Sequence, residues 1–262
     1  MQDRYTGDIG DFAKYGLLRY ILNRADMTLG INWYLVPDEA HNDDGRHIAY
    51  LLDEKQNHKE YRSCDPDLYD ILYGIVRPIR KDKGNIASTG IRRVDRIEKS
   101  RIFNRVKVSF YNKRLSPEVE RNDWFSKGLE KLKKCDVLFL DPDNGLEVKS
   151  HSKSSSKSVK YVYYDEVLKG LSTKKSLIIY QHRDRTSQKK FHEKIAILAK
   201  KIKEAYSDCD IFSIRFNRYS VREFIFVLQE NHSMVKNTIA ESFLKSEWGK
   251  GKNPHFTLSE QF

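Results

Sequence analysis

The sequence predicts an α/β fold in which a mostly parallel sheet carries helices on both faces and ends in an antiparallel hairpin. Short apolar runs alternate with amphipathic segments along the chain, which is typical of parallel sheets with crossover helices. The run 136–140 is almost continuously apolar, as expected for a strand that is covered on both faces. Near the end, 211–216 and 223–228 follow each other closely and predict the antiparallel pair.

The first element is a helix over 8–22. Its apolar stripe consists of Leu17, Leu18, Ile21 and Leu22. Asp8 or Asp11 is suited to cap the N-terminus, because a carboxylate accepts hydrogen bonds from the free amide groups there. The apolar run 31–36 predicts the first strand, and Pro37 ends it.

The remaining elements alternate to the end of the chain. Predicted strands cover 106–111, 136–140, 159–164, 176–180, 211–216 and 223–228. Predicted helices cover 66–76, 122–134 and 187–205, and Pro66 fits the first turn of its helix. All of these fit a single domain of 262 residues. The basic segment 77–105 has little apolar periodicity, so we interpret it as a candidate inserted arm.

Composition and charge narrow the class of protein. No apolar run approaches the roughly 20 residues that a membrane-spanning helix needs, and the first residues lack the pattern of a secretion signal. The three cysteines are widely spaced and form no CxxC pair, so we expect a cytoplasmic protein without a membrane partner. The formal net charge of +11 favours a nucleic-acid partner, DNA or RNA, over a merely lysine-rich surface.

The strongest functional signal is the loop Asp141-Pro142-Asp143-Asn144-Gly145-Leu146-Glu147, directly after the buried strand 136–140. In open α/β sheets, ligands bind beyond the carboxyl ends of the strands. Two carboxylates two residues apart, with Glu147 nearby, suit either a divalent cation or a substrate amine. The alternative is a plain turn, since these residue types all favour turns. So many carboxylates at a strand end favour the functional interpretation.

Polar residues also follow other predicted strands. Asp38, Glu39, His41, Asp43 and Asp44 come after 31–36. Asp165 and Glu166 come after 159–164, and Gln181, His182 and Arg183 come after 176–180. His182 is suited to act as a base or a metal ligand. Each group alone is weak and fits a solvated loop, but together they predict one shared cleft.

Two further groups have open interpretations. Gly7, Gly10 and Lys14 near the start of the first helix suit an anion at a helix N-terminus, or form a capping segment only. Four aromatic residues near the terminal pair are candidates for base stacking, although core packing is the favoured interpretation: Phe212, Phe216, Tyr219 and Phe224.

The opening residues resemble those of a group of bacterial and phage proteins. They share Arg4-Tyr5-x-Gly7-Asp8 and, further on, Lys14-Tyr15-Gly16-Leu17-Leu18-Arg19. This resemblance covers most of the chain and carries no activity that can be transferred.

The opening stretch and the 139–147 loop together are also similar, more distantly, to the small bacterial 23S rRNA adenine-N6 methyltransferases. Those enzymes begin with a Gly-Asn/Asp…Asp-x-x-Lys helix and later carry Asp-Pro-Pro-Tyr after a strand. The resemblance implies a methyltransferase-like Rossmann fold, with Asp141 at the target amine and Lys14 and Tyr15 near S-adenosylmethionine. It places the segment 34–45, with Asp38, Glu39 and His41, at the cofactor loop, and Asp65 near the ribose.

This chain departs from that family at three places. Val36-Pro37-Asp38-Glu39-Ala40-His41 stands where the family has a glycine-rich cofactor loop. Asp143 replaces the second proline of the family motif, and Asn144 replaces the tyrosine that stacks on a flipped base.

Three functions remain open from the sequence. The first is transfer of a methyl group from S-adenosylmethionine to an exocyclic base amine, with Asp141, Asp143, Asn144 and His182 as catalytic candidates. The second is a Mg²⁺-dependent nuclease or phosphohydrolase, in which Asp141, Asp143, Glu147 and Glu166 bind the metal and His182 is the base. The third is a binding module, which the dense acidic loop on a basic protein disfavours.

Overall fold

A seven-stranded sheet forms the centre of the described part of the chain, which comprises residues 1–39, 45–52, 58–78, 90, 92–183 and 187–261 of a computed structural model. The strands are β1 (Leu29–Asn32), β2 (Val108–Tyr111), β3 (Val137–Leu140), β4 (Gly145–Leu146), β5 (Tyr161–Val162), β6 (Ser176–His182), β7 (Asp210–Phe216), β8 (Arg222–Leu228) and β9 (Phe256–Gln261). The main sheet has the order β2-β1-β3-β6-β8-β7-β9, and β4 and β5 pair separately.

The strand directions confirm the predicted fold class. β2, β1, β3 and β6 are parallel to one another. β8 runs antiparallel to β6, β7 antiparallel to β8, and β9 antiparallel to β7. The hairpin of β7 and β8 enters the sheet with its later strand beside β6, so the amino end of β8 lies at the carboxyl edge of the parallel strands.

Helices cover both faces of this sheet. They are α1 (Ile9–Ala25), α2 (Ala49–Leu52), α3 (His58–Cys64), α4 (Pro66–Val76), α5 (Val94–Glu98), α6 (Arg121–Lys131), α7 (Tyr164–Leu171), α8 (Gln188–Ala205) and α9 (Met234–Thr238). Val137 and Phe139 of β3 pack into a first core with α1 and α4, whereas Leu138 and Leu140 pack into a second core with α6, α7 and α8. This alternation explains why the whole run is apolar.

Helix α1 is buried along most of its length against the first core. Asp8 is its N-cap, because its side chain accepts hydrogen bonds from the amides of Gly10 and Asp11 at 2.8 and 3.1 Å. The side chain of Asp11 turns the other way and accepts from the amide of Gly7 at 2.9 Å. Of the two capping candidates, Asp8 therefore caps the helix, while Asp11 holds the preceding turn.

Two predicted strands differ most from the observed ones. β1 ends at Asn32, four residues before the predicted end, because the Asn32 side chain accepts from the amide of Tyr34 at 3.2 Å and Tyr34 adopts a left-handed conformation (φ 44°). β5 spans Tyr161–Val162 alone, since the chain enters α7 at Tyr164. β9 was not predicted and extends the sheet beyond β7.

The segment 77–105 lies partly within the described residues. From residue 92 onward it contributes to the first core through Val94, Ile97 and Ile102, which are at most 2% exposed. Residues 79–89 and 91 lie outside the described residues, so the inserted arm stays a prediction there. The same holds for Ala40, His41, Asn42, Asp43 and Asp44. No helix within the described ranges combines the length and apolarity that a bilayer crossing requires.

The packing of α1 on Trp248 can be tested with Gly16→Ala. A Cβ at Gly16 would lie 2.2 Å from Cζ2 of the buried indole, so the helix or the ring has to move. We expect Gly16→Ala to lower the free energy of unfolding by about 1–3 kcal/mol in urea denaturation. Gly74→Ala in α4 is the matched control, because its Cβ meets no atom within 4 Å, and we expect it to be neutral or stabilising. Equal effects of the two variants would contradict the tight packing at Gly16.

Candidate active site

A cavity of about 400 Å³ lies at the carboxyl ends of β3 and β6. The first residues of the chain, the start of α1, the loop after β3 and the start of β8 form its walls. Its charged lining residues are Asp8, Lys14, Arg46, Asp141, Asp143 and Arg222, and its histidines are His47 and His182. The size is within the roughly 300–1,000 Å³ of small-molecule sites. The mixture of carboxylates and cations suits a ligand that itself carries polar or charged groups.

The Lys14–Asp141 ion pair joins α1 to the end of β3. Nζ of Lys14 lies 2.8 and 2.9 Å from the two carboxylate oxygens of Asp141, and 3.5 Å from Asp11. Both partners are buried, with 3% of Lys14 and 1% of Asp141 exposed. A carboxylate removed from water to this degree needs a cation in contact to remain ionised.

The pKa values in this cluster reflect the competition between burial and charge. Burial raises the pKa of Asp141, although Lys14 opposes the rise. Burial alone would lower the pKa of Lys14, but Asp141 and Asp11 outweigh it and raise that pKa. Burial raises the pKa of Asp11 to about 7, against the effect of Lys14. Strongly shifted groups that meet in a cleft are typical of functional sites.

Asp143 is held by the first two residues of the chain. The amine of Met1 lies 2.6 Å from Oδ1 of Asp143, and Nε2 of Gln2 donates to Oδ2 at 2.7 Å. Burial opposes ionisation of Asp143, but the amine and the Gln2 amide outweigh it and lower its pKa. The same amine donates to the backbone carbonyls of Tyr34 and Asp141, so it connects the ends of β1 and β3.

Arg222 closes the opposite wall of the cavity. Its Nε donates to the hydroxyl of Tyr180 at 2.5 Å, and Nη1 donates to the carbonyl of Ser220 at 2.6 Å. The ammonium of Lys14 lies 4.3 Å from the centre of the Tyr180 ring. Tyr180 therefore lies between two cations, one from α1 and one from β8.

Asn144 and His182 also line the cavity, as their positions after the predicted strands 136–140 and 176–180 indicated. The carbonyl of Asn144 accepts from Nε2 of Gln181 at 3.1 Å, and Oε1 of Gln181 accepts from the amide of Leu146 at 2.7 Å. Gly145 between them has φ 98°, and a Cβ there would lie 2.3 Å from Gln181. The loop after β3 is thus fastened to the end of β6. Nδ1 of His182 donates to the carbonyl of Arg183 at 3.1 Å.

Several residues that the resemblance placed near the cofactor lie elsewhere. Tyr15 is fully buried, with its ring 6.3 Å from Trp33 and 5.7 Å from Phe103. Asp65 caps α4 and pairs with Arg19 at 2.7 Å.

The other cofactor candidates lie near the start of the chain. Asp38 accepts from the amide of Arg4 at 3.1 Å, and Glu39 pairs with Lys160 at 2.5 Å. His41 lies outside the described residues. Of the described candidates for the cofactor, Lys14 is the one that lines the cavity.

The four carboxylates suggested as metal ligands do not come together. Glu166 pairs with Nε of Arg121 at 2.6 Å and also accepts from the hydroxyl of Tyr34 at 3.1 Å. Glu147 accepts from the amide of Tyr164 at 2.7 Å. In the part of the chain that the structure describes, no group of three or more His, Cys, Asp or Glu residues is arranged to hold a metal ion.

The structure adds residues that the sequence did not indicate. Arg46, His47, Tyr180 and Arg222 line the cavity. Arg222 directly precedes the predicted strand 223–228, but it faces the cavity because β8 is antiparallel to β6. The sequence indicates where a strand begins, but the direction of the strand within the sheet decides at which edge it begins.

No protein-family model matches the chain, and no curated protein matches it either.

The stability of the protein depends on the buried Lys14–Asp141 pair. Lys14→Met leaves the buried carboxylates of Asp141 and Asp11 without their cation, so we expect the free energy of unfolding to fall by about 3–5 kcal/mol. The double variant Lys14→Met/Asp141→Asn removes both charges and should recover part of that loss. Denaturant unfolding measures both. The control Lys127→Met removes an exposed lysine from a surface pair and should change little. No difference between Lys14→Met and Lys127→Met would contradict the importance of the pair.

The stability of the protein should also depend on pH through Asp11. Its pKa is about 7 in the folded state and 3.8 for the free side chain. The folded state therefore binds the Asp11 proton more tightly than the unfolded state does. The contribution of Asp11 to the free energy of unfolding is fully present below pH 3.8 and is lost as the pH rises to about 7. We expect Asp11→Asn to become progressively more stable relative to the native chain across this range, measured by urea denaturation. Asp123→Asn, at an exposed carboxylate, should show no such trend.

Proposed function

We propose that the protein is a methyltransferase-like enzyme that acts on nucleic acid and transfers a methyl group from S-adenosylmethionine to an exocyclic base amine. One observation carries this proposal. The Asp141 carboxylate lies in the wall of a cavity at the carboxyl end of β3, next to Pro142. The resemblance to adenine-N6 methyltransferases expects the target amine at this position. The terminal hairpin, with β8 beside β6, is the expected end of such a sheet.

The role of Asp141 in this proposal is to orient the amine. A carboxylate has about four acceptor positions, so Asp141 can accept from a base N–H while it remains paired with Lys14. That hydrogen bond would direct the amine nitrogen into the cavity, and orientation of this kind is a large part of catalysis in group transfer. Lys14 would hold the carboxylate in place and keep it ionised. S-adenosylmethionine, when bound, supplies an electrophilic methyl group.

The charged residues of the cavity suit the charged groups of S-adenosylmethionine better than Tyr15 and Asp65 do. Arg222 is suited to its carboxylate, and Asp8 to its amine. Both residues lie in the wall of the same cavity of about 400 Å³. Tyr15 and Asp65 do not fit, since the first is packed in the core and the second is engaged by Arg19. The proposed cofactor site is therefore the cavity itself.

Nucleic acid is the proposed substrate because of charge and chemistry together. The net charge of +11 favours a polyanion, and Asp141 suits a hydrogen-bond donor such as a base amine. The described carboxylates give less support to Mg²⁺-dependent hydrolysis. Asp141 and Asp143 already contact cationic groups, and Glu166 is bound to Arg121.

Calorimetry with S-adenosylmethionine, S-adenosylhomocysteine and Mg²⁺ tests the proposal. We expect the native protein to bind both nucleosides with micromolar affinity and without any requirement for Mg²⁺. Methyl transfer to mixed DNA and RNA is then followed with a radiolabelled methyl group. Asp141→Asn should lower kcat by about 100-fold or more, because the amine loses its ionised acceptor.

The control for this experiment is Asp165→Asn, which changes an exposed carboxylate outside the cavity and should retain full activity. Circular dichroism shows whether each variant is folded. Absence of nucleoside binding to the folded native protein, or Mg²⁺-dependent cleavage of the nucleic acid, would overturn the proposed function.

A further inference from the structure

One aromatic side chain at the edge of the cavity is exposed, unlike its neighbours. Phe212, Phe216 and Phe224 are buried in the core, at no more than 1% exposed, so they pack rather than bind. Tyr219 is 47% exposed. It precedes Ser220, which lines the cavity, and its ring lies 4.9 Å from the ring of His47, which also lines the cavity. Tyr219 therefore lies at the rim of the proposed active site.

The conformation of Tyr219 is fixed by its surroundings. Its backbone is left-handed (φ 56°), which is uncommon for a residue with a bulky side chain and persists only where neighbouring contacts enforce it. Arg222 supplies such contacts by donating to the carbonyls of Ser220 and Arg218, on either side of Tyr219. Burial first, and Tyr219 in addition, raise the pKa of Tyr61, so the two phenol groups interact. The residue is thus restrained by its neighbours, while nearly half of it is exposed to solvent.

We propose that the Tyr219 ring, supported by His47, is a stacking platform for an unpaired base of single-stranded DNA or RNA. Aromatic rings that bind nucleic acid stack on the faces of bases, and they reach only bases that are not stacked within a duplex. The chain has Asn144 where the enzymes that it resembles have a stacking tyrosine, so an aromatic face for the base has to come from another residue. Tyr219 supplies it from the opposite wall. This inference rests on the proposed function, and it specifies the substrate as single-stranded.

The charges around the platform fit the same ligand. Arg46 adjoins His47 in the chain and lines the cavity, where it is suited to a phosphate of the strand. Asp141 lies in the wall of the same cavity and is suited to the exocyclic amine of the stacked base. An aromatic face, a cation and a carboxylate acceptor thus border one site, which are the three features that a nucleotide with an amino group requires.

Fluorescence of 2-aminopurine tests the platform, because stacking on an aromatic ring quenches its emission. Short single-stranded DNA and RNA oligonucleotides carry the probe, and the matching duplexes are measured in parallel. We expect the native protein and Tyr219→Phe to bind a single strand and quench the probe. Tyr219→Ala should bind roughly ten-fold more weakly or worse and lose the quenching. Comparison of the DNA and RNA arms identifies which strand is preferred.

Two further variants serve as controls. Tyr219→Gly removes the ring in a residue that adopts the left-handed conformation without strain, so it should fold and still lose the quenching. Tyr161→Ala removes a tyrosine that also packs on a histidine, His151, away from the cavity, and it should bind like the native protein.

The oligonucleotide-binding assay contains no S-adenosylmethionine, so its result does not depend on the cofactor. Unchanged affinity and quenching in folded Tyr219→Ala and Tyr219→Gly would overturn the platform, as would equal quenching by duplexes. If the platform passes this test but the native protein does not bind S-adenosylmethionine, the stacking site is supported and the methyl-transfer proposal is rejected.

Discussion

The contact of Lys14 with Asp141 is the interaction on which the rest of the site depends. It joins the first helix to the carboxyl end of the central strand β3, and both charges are removed from water. Two buried ions are stable only in close contact, so the distance between α1 and β3 is constrained by charge as well as by packing. Asp11, Tyr180 and Arg222 are arranged around this pair, and each contacts a member of the cluster rather than bulk solvent.

A second buried pair has a comparable role on the other face of the sheet. Arg121 at the start of α6 contacts Glu166 of α7 and the backbone carbonyls of Ser158 and Tyr161. Glu166 in turn accepts from the amide of Tyr163. This network orders the chain between β4 and α7 through hydrogen bonds that apolar residues cannot make. The carboxylate is thus structural, although its position after a strand made it a candidate metal ligand.

The sequence was most informative where burial is continuous. The helix 66–76 agrees with the observed Pro66–Val76, and β3, β6, β7 and β8 were predicted to within two residues, because long apolar runs admit few alternatives. Asp141 and His182 were predicted as neighbours since parallel strands share a carboxyl edge. Arg222 was not, because its contribution follows from the reversed direction of β8. β9 has alternating polar residues and becomes a strand only by pairing with the edge of β7.

The cavity combines residues from distant parts of the chain, because β8 lies beside β6 in the sheet. The walls combine Asp8 and Lys14, near the beginning of the chain, with Ser220 and Arg222, far along it. Contacts between residues so distant in sequence form slowly, since the intervening chain must first lose its conformational freedom. During synthesis the amino-terminal half therefore emerges with the ammonium of Lys14 lacking its tyrosine and arginine neighbours. The cavity can be completed only after the hairpin has been synthesised and has entered the sheet.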